Sequence, residues 1–141
     1  RSVGMSAPAS RADAMRRVRQ RATEPELAVR SVLRQLGVAY RLNCANLPGR
    51  PDFANRSRGW AIFVHGCFWH GHRRCRRRSR LVPRTNQDWW IDKIAANRAR
   101  DVRKAEQLRR LGLRVLTVWE CSLQDRPKVL LALARFLDVG R

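Results

Sequence analysis

All three histidines of the chain and two of its four cysteines fall in one short run, FVHGCFWHGHRRC, at 63–75. Thiols and imidazoles at that density are soft donors for a metal ion. Cys67, His72 and Cys75 offer two thiolates and one imidazole from a single loop, and Cys121 stands at the end of a later apolar run, RVLTVWE. Four such donors close a tetrahedron around Zn²⁺ and leave no open position, which makes the expected zinc structural. The spacing matches neither a finger nor a ribbon, and the alternative reading is that Cys67 and Cys121 are buried apolar thiols. Four cysteines could also make two disulfides. Without a secretory signal, however, cysteines bracketing histidines more often mark a metal. Cys44 lies in a polar segment away from the cluster and reads as a plain free thiol.

A second chemistry is suggested by LPGRPDF at 47–53. Asp52 opens an expected strand, and about ten residues later a buried strand ends in His65. A carboxylate and a backbone carbonyl from two such strands can hold Mg²⁺, which activates water and steadies the charge on a scissile phosphate. Further along, Lys93, Asn97 and Asp101 recur every four residues and so share one helix face. The alternative reading of Asp101 is an ion pair with a neighbouring arginine on an exposed helix face. Phe68 and Trp69 would be core residues in most contexts. Here Gly, His and Arg flank them, which leaves little cover and favours a binding role.

The elements that must position these groups follow from periodicity and capping. In TEPELAVRSVLRQLG, Thr23 reads as an N-cap, Pro25 lies in the first turn, and Glu26 completes a capping box. Leu27, Val32, Leu33 and Leu36 form the expected apolar face, and Gly37 ends the helix. Short strands are expected at 38–42 and around Asp52 and Phe53, and a fully buried one at 60–65. A loop from Gly66 to Thr85 precedes a long helix from about Asn86 to Leu111. That helix has an expected apolar stripe of Ile91, Ala95, Val102, Ala105 and Leu108. A strand at 114–120 and a last helix near Pro127 complete the order. The fold class is α/β, a mixed sheet between helices. A twenty-residue loop is unusual in a compact domain and must be organised by something, for which a metal would suffice.

Composition narrows the partners. The 141 residues suit one domain with a real core, here 23–141, preceded by a basic N-terminal arm at 1–22. Basic residues number 31 against 11 acidic, a formal net charge of +20, with a pI near 11.8. Such a field attracts a polyanion, and nucleic acid is the first candidate. No apolar run approaches the roughly 18 residues a membrane span needs, and no signal peptide is evident, so a cytoplasmic protein without a membrane partner is expected.

Taken in order, LPGRPDF, FVHGCFWHGH, TNQDWWIDKIAANRARD and VLTVWEC closely resemble the very-short-patch repair (Vsr) DNA mismatch endonucleases. The likeness runs from about Met15 to Cys121. It implies a restriction-endonuclease-like fold and an Mg²⁺-dependent nick on the 5′ side of the thymine in a T:G pair left by deaminated 5-methylcytosine. By position, it implies that Asp52 and the Val64 carbonyl bind Mg²⁺, and that His70 is the general base, oriented by Asp101. His65 and Glu26 would hold the surrounding water, although Glu26 fits its capping box equally well. The resemblance gives Cys67, His72, Cys75 and Cys121 to structural Zn²⁺. It makes Met15, Phe68 and Trp69 wedges beside the mismatch, with Lys93 and Asn97 facing the DNA. An asymmetric lesion suits a monomer, and mismatch-repair factors are candidate partners. The usual nuclease pattern puts a second acid and a lysine on the strand after the first Asp. Those places hold Phe63 and His65, which keeps open a non-catalytic, zinc-stapled module that recognises distorted duplex.

Overall fold

The first helix, α1, spans Glu24–Leu36 and begins as its sequence dictates. The Thr23 hydroxyl accepts the Glu26 N–H at 3.3 Å, Pro25 sits in the first turn, and Gly37 closes the helix at a φ of 70°. The computed structural model describes residues 23–72, 75 and 85–138. The expected basic arm, with Met15, and every arginine of the run at 73–80 lie outside the described residues. Helix α1 buries Ala28, Val29, Val32 and Leu33, while Leu27, expected on the apolar face, is exposed.

Four strands form one mixed sheet in the order β1 (Arg41–Leu42), β2 (Phe53–Asn55), β3 (Trp60–His65) and β4 (Arg114–Trp119). The first three run antiparallel, and β4 lies parallel to β3 with His65 opposite Trp119. The expected strand at 38–42 is reduced to two residues. Upstream of them the Ala39 carbonyl is taken by the Asn55 side-chain amide, a side-chain bond where a ladder would need a backbone N–H. The parallel step from β3 to β4 needs a long crossover, supplied by α2 (Gln87–Arg110). After β4 a short 3₁₀ turn, Glu120–Gln124, leads into α3 (Arg126–Leu137), capped by the Asp125 carboxylate on the Lys128 N–H.

Alternation along β3 sorts its side chains between two cores. Trp60 and Ile62 join Val29, Leu33, Val118 and Leu133 beneath α1 and α3. Ala61 and Phe63 join Ala54, Leu108 and Leu113 on the other face. His65 continues the second series, so strand parity alone delivers its ring to the α2 side of the sheet.

Helix α2 departs from the expected stripe. Ile91 and Val102 are 53% and 58% exposed, and Ala95 is exposed too; the buried residues are Trp90, Asn97 and Leu108. The inward face therefore carries Asn97 and Asp101, the polar set that shares a face by spacing. The reason is local. Gly71, at a φ of 63°, presses its backbone against Ile94 and Arg98 so closely that an added Cβ would lie 2.3 Å from Ile94. The loop that arrives there brings a backbone carbonyl and an imidazole that need polar partners.

Candidate active site and metal centre

Asp52 enters from the residue before β2. Its Oδ2 accepts the N–H of Val64 at 2.7 Å, across the end of the antiparallel pair. A strand residue turns its N–H and C=O to the same side, so the Val64 carbonyl opens toward the same corner as the carboxylate. From α1, Glu26 reaches Asp52 as a hydrogen-bonded partner. Burial, reinforced by the Asp52 charge and hydrogen bond, pushes the Glu26 carboxyl up to about 7. Two carboxylates this close share a proton unless a cation intervenes. The Asp52 carboxylate and the Val64 carbonyl, both oxygen donors with the Glu26 carboxyl beside them, suit a hard cation such as Mg²⁺.

The Glu26 shift has a measurable sign. Its folded pKa lies above the ordinary 4.5, so the folded chain binds the extra proton. Stability from this group is fully present below pH 4.5 and is lost as pH rises through about 7. Without divalent cations, thermal unfolding followed from pH 5 to 8 should show that decline, and Glu26→Gln should flatten it. An unchanged slope in the variant would place the titration elsewhere.

The second group comes from three elements. His65 ends β3, His70 lies in the following loop, and Asp101 projects from the inward face of α2. His70 Nδ1 stands 2.6 Å from Asp101 Oδ2, and His65 Nδ1 stands 3.9 Å from the same oxygen. The two imidazoles are stacked, with centroids 3.7 Å apart and planes 5° from parallel. Burial pulls the Asp101 carboxyl upward, but the His70 hydrogen bond, His70, His65 and Lys104 together hold it below its usual range. An ionised Asp101 can only accept, so His70 donates from Nδ1, which turns Nε2 away from the carboxylate. That is the geometry of an oriented general base. His65, His70 and Asp101 border a cavity of about 250 Å³ between α2 and the sheet.

The third group sits directly beside these. One ligand atom each from Cys67, His72, Cys75 and Cys121 lies within 4.8 Å of the others. His72 Nδ1 is 3.6 Å from Cys67 Sγ and 3.4 Å from Cys121 Sγ, while the Cys121 N–H donates to Cys67 Sγ. Burial pushes the Cys67 thiol up to about 12 and holds His72 below its usual value. Buried thiols become thiolates only when a cation compensates them. Three sulfurs and a neutral imidazole are the donor set that a structural Zn²⁺ takes. Backbone bonds hold the described start of the loop: His70, Gly71 and His72 donate to the carbonyls of Gly66, Phe68 and Cys67. Elemental analysis should find about one zinc per chain, and Cys67→Ser should lower zinc affinity by removing a thiolate. Full zinc retention in that variant would exclude Cys67 from the ligand set.

Trp69, Phe68 and Asn97 are engaged within the chain. Trp69 is 7% exposed, with Lys93 Nζ 6.0 Å from its ring centroid. Phe68 meets the buried Trp90 edge-on at 5.2 Å. Asn97 is 3% exposed and donates to the Trp69 carbonyl at 3.1 Å. In this structure the Asn97 amide holds the loop, because a buried carbonyl there requires a donor. Sequence reasoning missed two residues. Lys104 approaches Asp101 Oδ1 at 4.0 Å, and the Trp119 indole lies against both histidine groups. The i,i+3 spacing of Asp101 and Lys104 could have flagged the first. Nothing local marks the second.

Comparison with known proteins adds an independent line. The family model described as "DNA mismatch endonuclease Vsr" matches residues 4–77. The chain is 46% identical over 131 residues to the type II nicking enzyme V.XorIIP of Xanthomonas oryzae pv. oryzae, covering 93% of this chain and 94% of that protein. It is 44% identical over 121 residues to the DNA mismatch endonuclease Vsr of Escherichia coli K12, covering 86% and 76%. A third relative, the type II nicking enzyme V.NmeAIP of Neisseria meningitidis, is 36% identical over 112 residues, covering 79% and 78%.

Proposed function

The chain belongs to the Vsr family of DNA mismatch endonucleases, and from that premise we propose an Mg²⁺-dependent nick on the 5′ side of the thymine in a T:G pair. The observation that carries the reading is the 2.6 Å contact between His70 and Asp101, which fixes the ring and turns its Nε2 away from the carboxylate. Asp52 and the Val64 carbonyl would hold Mg²⁺, which supplies Lewis-acid charge to the phosphate and the attacking water. His70 accepts the proton of that water, Asp101 stabilises the resulting imidazolium, and His65 holds the base ring flat against itself. Glu26 carries the proton it shares with Asp52 until a divalent cation replaces it.

The net charge of +20 supplies the attraction to the duplex. Met15, Phe68 and Trp69 are the proposed wedges. For Trp69 the proposal includes leaving its buried seat, with unstacking of the base step offset by new ring contacts. Lys93, already over that ring, moves with it toward phosphate. Zn²⁺ in the cysteine–histidine cluster is structural. A monomer suits a single asymmetric lesion, with mismatch-repair factors as candidate partners in a cytoplasmic setting. Among the described residues, no helix is long and apolar enough to cross a membrane.

The test is a duplex with one T:G pair in a methylated site, incubated with and without Mg²⁺. A single nick beside the thymine, absent from the paired duplex and from the metal-free reaction, is expected. Salt-sensitive binding with no strand break under any divalent cation would replace this reading with a module that only recognises distorted DNA.

A further inference from the structure

Trp119, the last residue of β4, touches two groups that the mechanism treats separately. Its indole is stacked on the His72 imidazole, with centroids 4.2 Å apart and planes 8° from parallel. His65 meets the same indole edge-on at 5.2 Å and 72°. His65 in turn lies flat on His70, whose Nδ1 is bonded to Asp101. Four rings thus run unbroken from the zinc-ligand cluster to the base.

We propose that Trp119 is a positioning residue for hydrolysis, transmitting the fixed geometry of the zinc cluster to His65 and through it to His70. The inference rests on the reading of His70 as the base. The parallel register sets Trp119 directly beside His65, and two residues later the same chain delivers Cys121 to the cluster. Phe63, 5.6 Å from His65, covers that ring from its own strand. On the β4 side the indole is its wall. His65, His70 and Trp119 all border the 250 Å³ cavity, so loss of the indole would enlarge a space that His65 can fall into. A displaced His65 no longer defines the plane of His70, and a base misplaced by about 1 Å can cost on the order of 10² in rate. In this arrangement the zinc does more than fold a loop: its loss would loosen His72, then Trp119, then the base.

Trp119→Leu and Trp119→Phe separate this role from general packing. Each is assayed for zinc content, affinity for an uncleaved T:G duplex, and single-turnover nicking in Mg²⁺. The leucine variant should keep its zinc and its duplex affinity within about twofold and lose at least tenfold in nicking rate. The phenylalanine variant, which restores a flat ring, should recover most of that rate. Three results would overturn the proposal: full-rate nicking by the leucine variant, equal losses in both variants, or rate loss in step with lost zinc or lost duplex affinity. Absence of nicking by the unaltered chain would instead overturn the functional reading itself.

Discussion

Asp52→Asn is expected to remove Mg²⁺-dependent nicking, lowering the rate by about 10³-fold or more. The carboxylate bonds the Val64 N–H across the end of the antiparallel pair, and a neutral amide oxygen holds a hard cation far more weakly than a carboxylate does. Charge stabilisation by such an ion contributes several kcal/mol, and each 1.36 kcal/mol is tenfold in rate. The fold should survive the change. Asparagine retains an oxygen for the Val64 N–H, and Glu26 is relieved of a neighbouring negative charge that helps hold its carboxyl near 7. Thermal stability at neutral pH should therefore hold or rise while activity disappears. Nicking by purified Asp52→Asn at more than a tenth of the unaltered rate would remove Asp52 from the metal site.

His70→Ala is expected to cost about 10²-fold or more in single-turnover rate, the usual contribution of a positioned base. Binding to the uncleaved mismatch should change much less, since the proposed partner of the imidazole is the attacking water and not the base pair. The variant also deletes the 2.6 Å bond to Asp101 and half of the histidine stack, so packing must be separated from chemistry. Asp101→Asn does so. It preserves the shape of the contact but can offer its amide N–H to Nδ1, which favours the tautomer with the proton on the wrong nitrogen. A parallel loss of rate with an unchanged melting temperature supports the dyad. A His70→Ala chain that nicks within threefold of the unaltered one rules it out.

The two groups differ in how far they could be read beforehand. The cysteine–histidine cluster was legible because soft donors cluster in sequence: Cys67, His72 and Cys75 sit in one loop, and Cys121 ends an apolar run. The bounds of β3 and the ends of α1 were legible for an equally local reason. A run of WAIFVH has one stable environment, and a Thr cap or a left-handed Gly acts within one turn. The resemblance supplied roles for Glu26, His65 and His70 that no spacing revealed. The meeting of Glu26 with Asp52, and of His70 with Asp101, joins residues from separate elements.

Helix α2 shows where local reading fails. Periodicity placed Ile91, Ala95 and Val102 toward the core, whereas the folded chain turns Asn97 and Asp101 inward. Hydrophobic patterning reports what each side chain prefers against water, and at this site polar partners outweigh it. The Trp69 carbonyl and the His70 ring both need hydrogen bonds that Ile or Val cannot give. The sequence by itself determined the charge, the strand and helix order and the metal-ligand chemistry, all of which depend on residues close along the chain. Only the tertiary structure decided which face of α2 meets the sheet, that Trp69 is buried, and that Trp119 joins the two histidine groups. Those outcomes depend on which polar groups are brought within bonding distance across elements, and no periodicity within a single element encodes that distance.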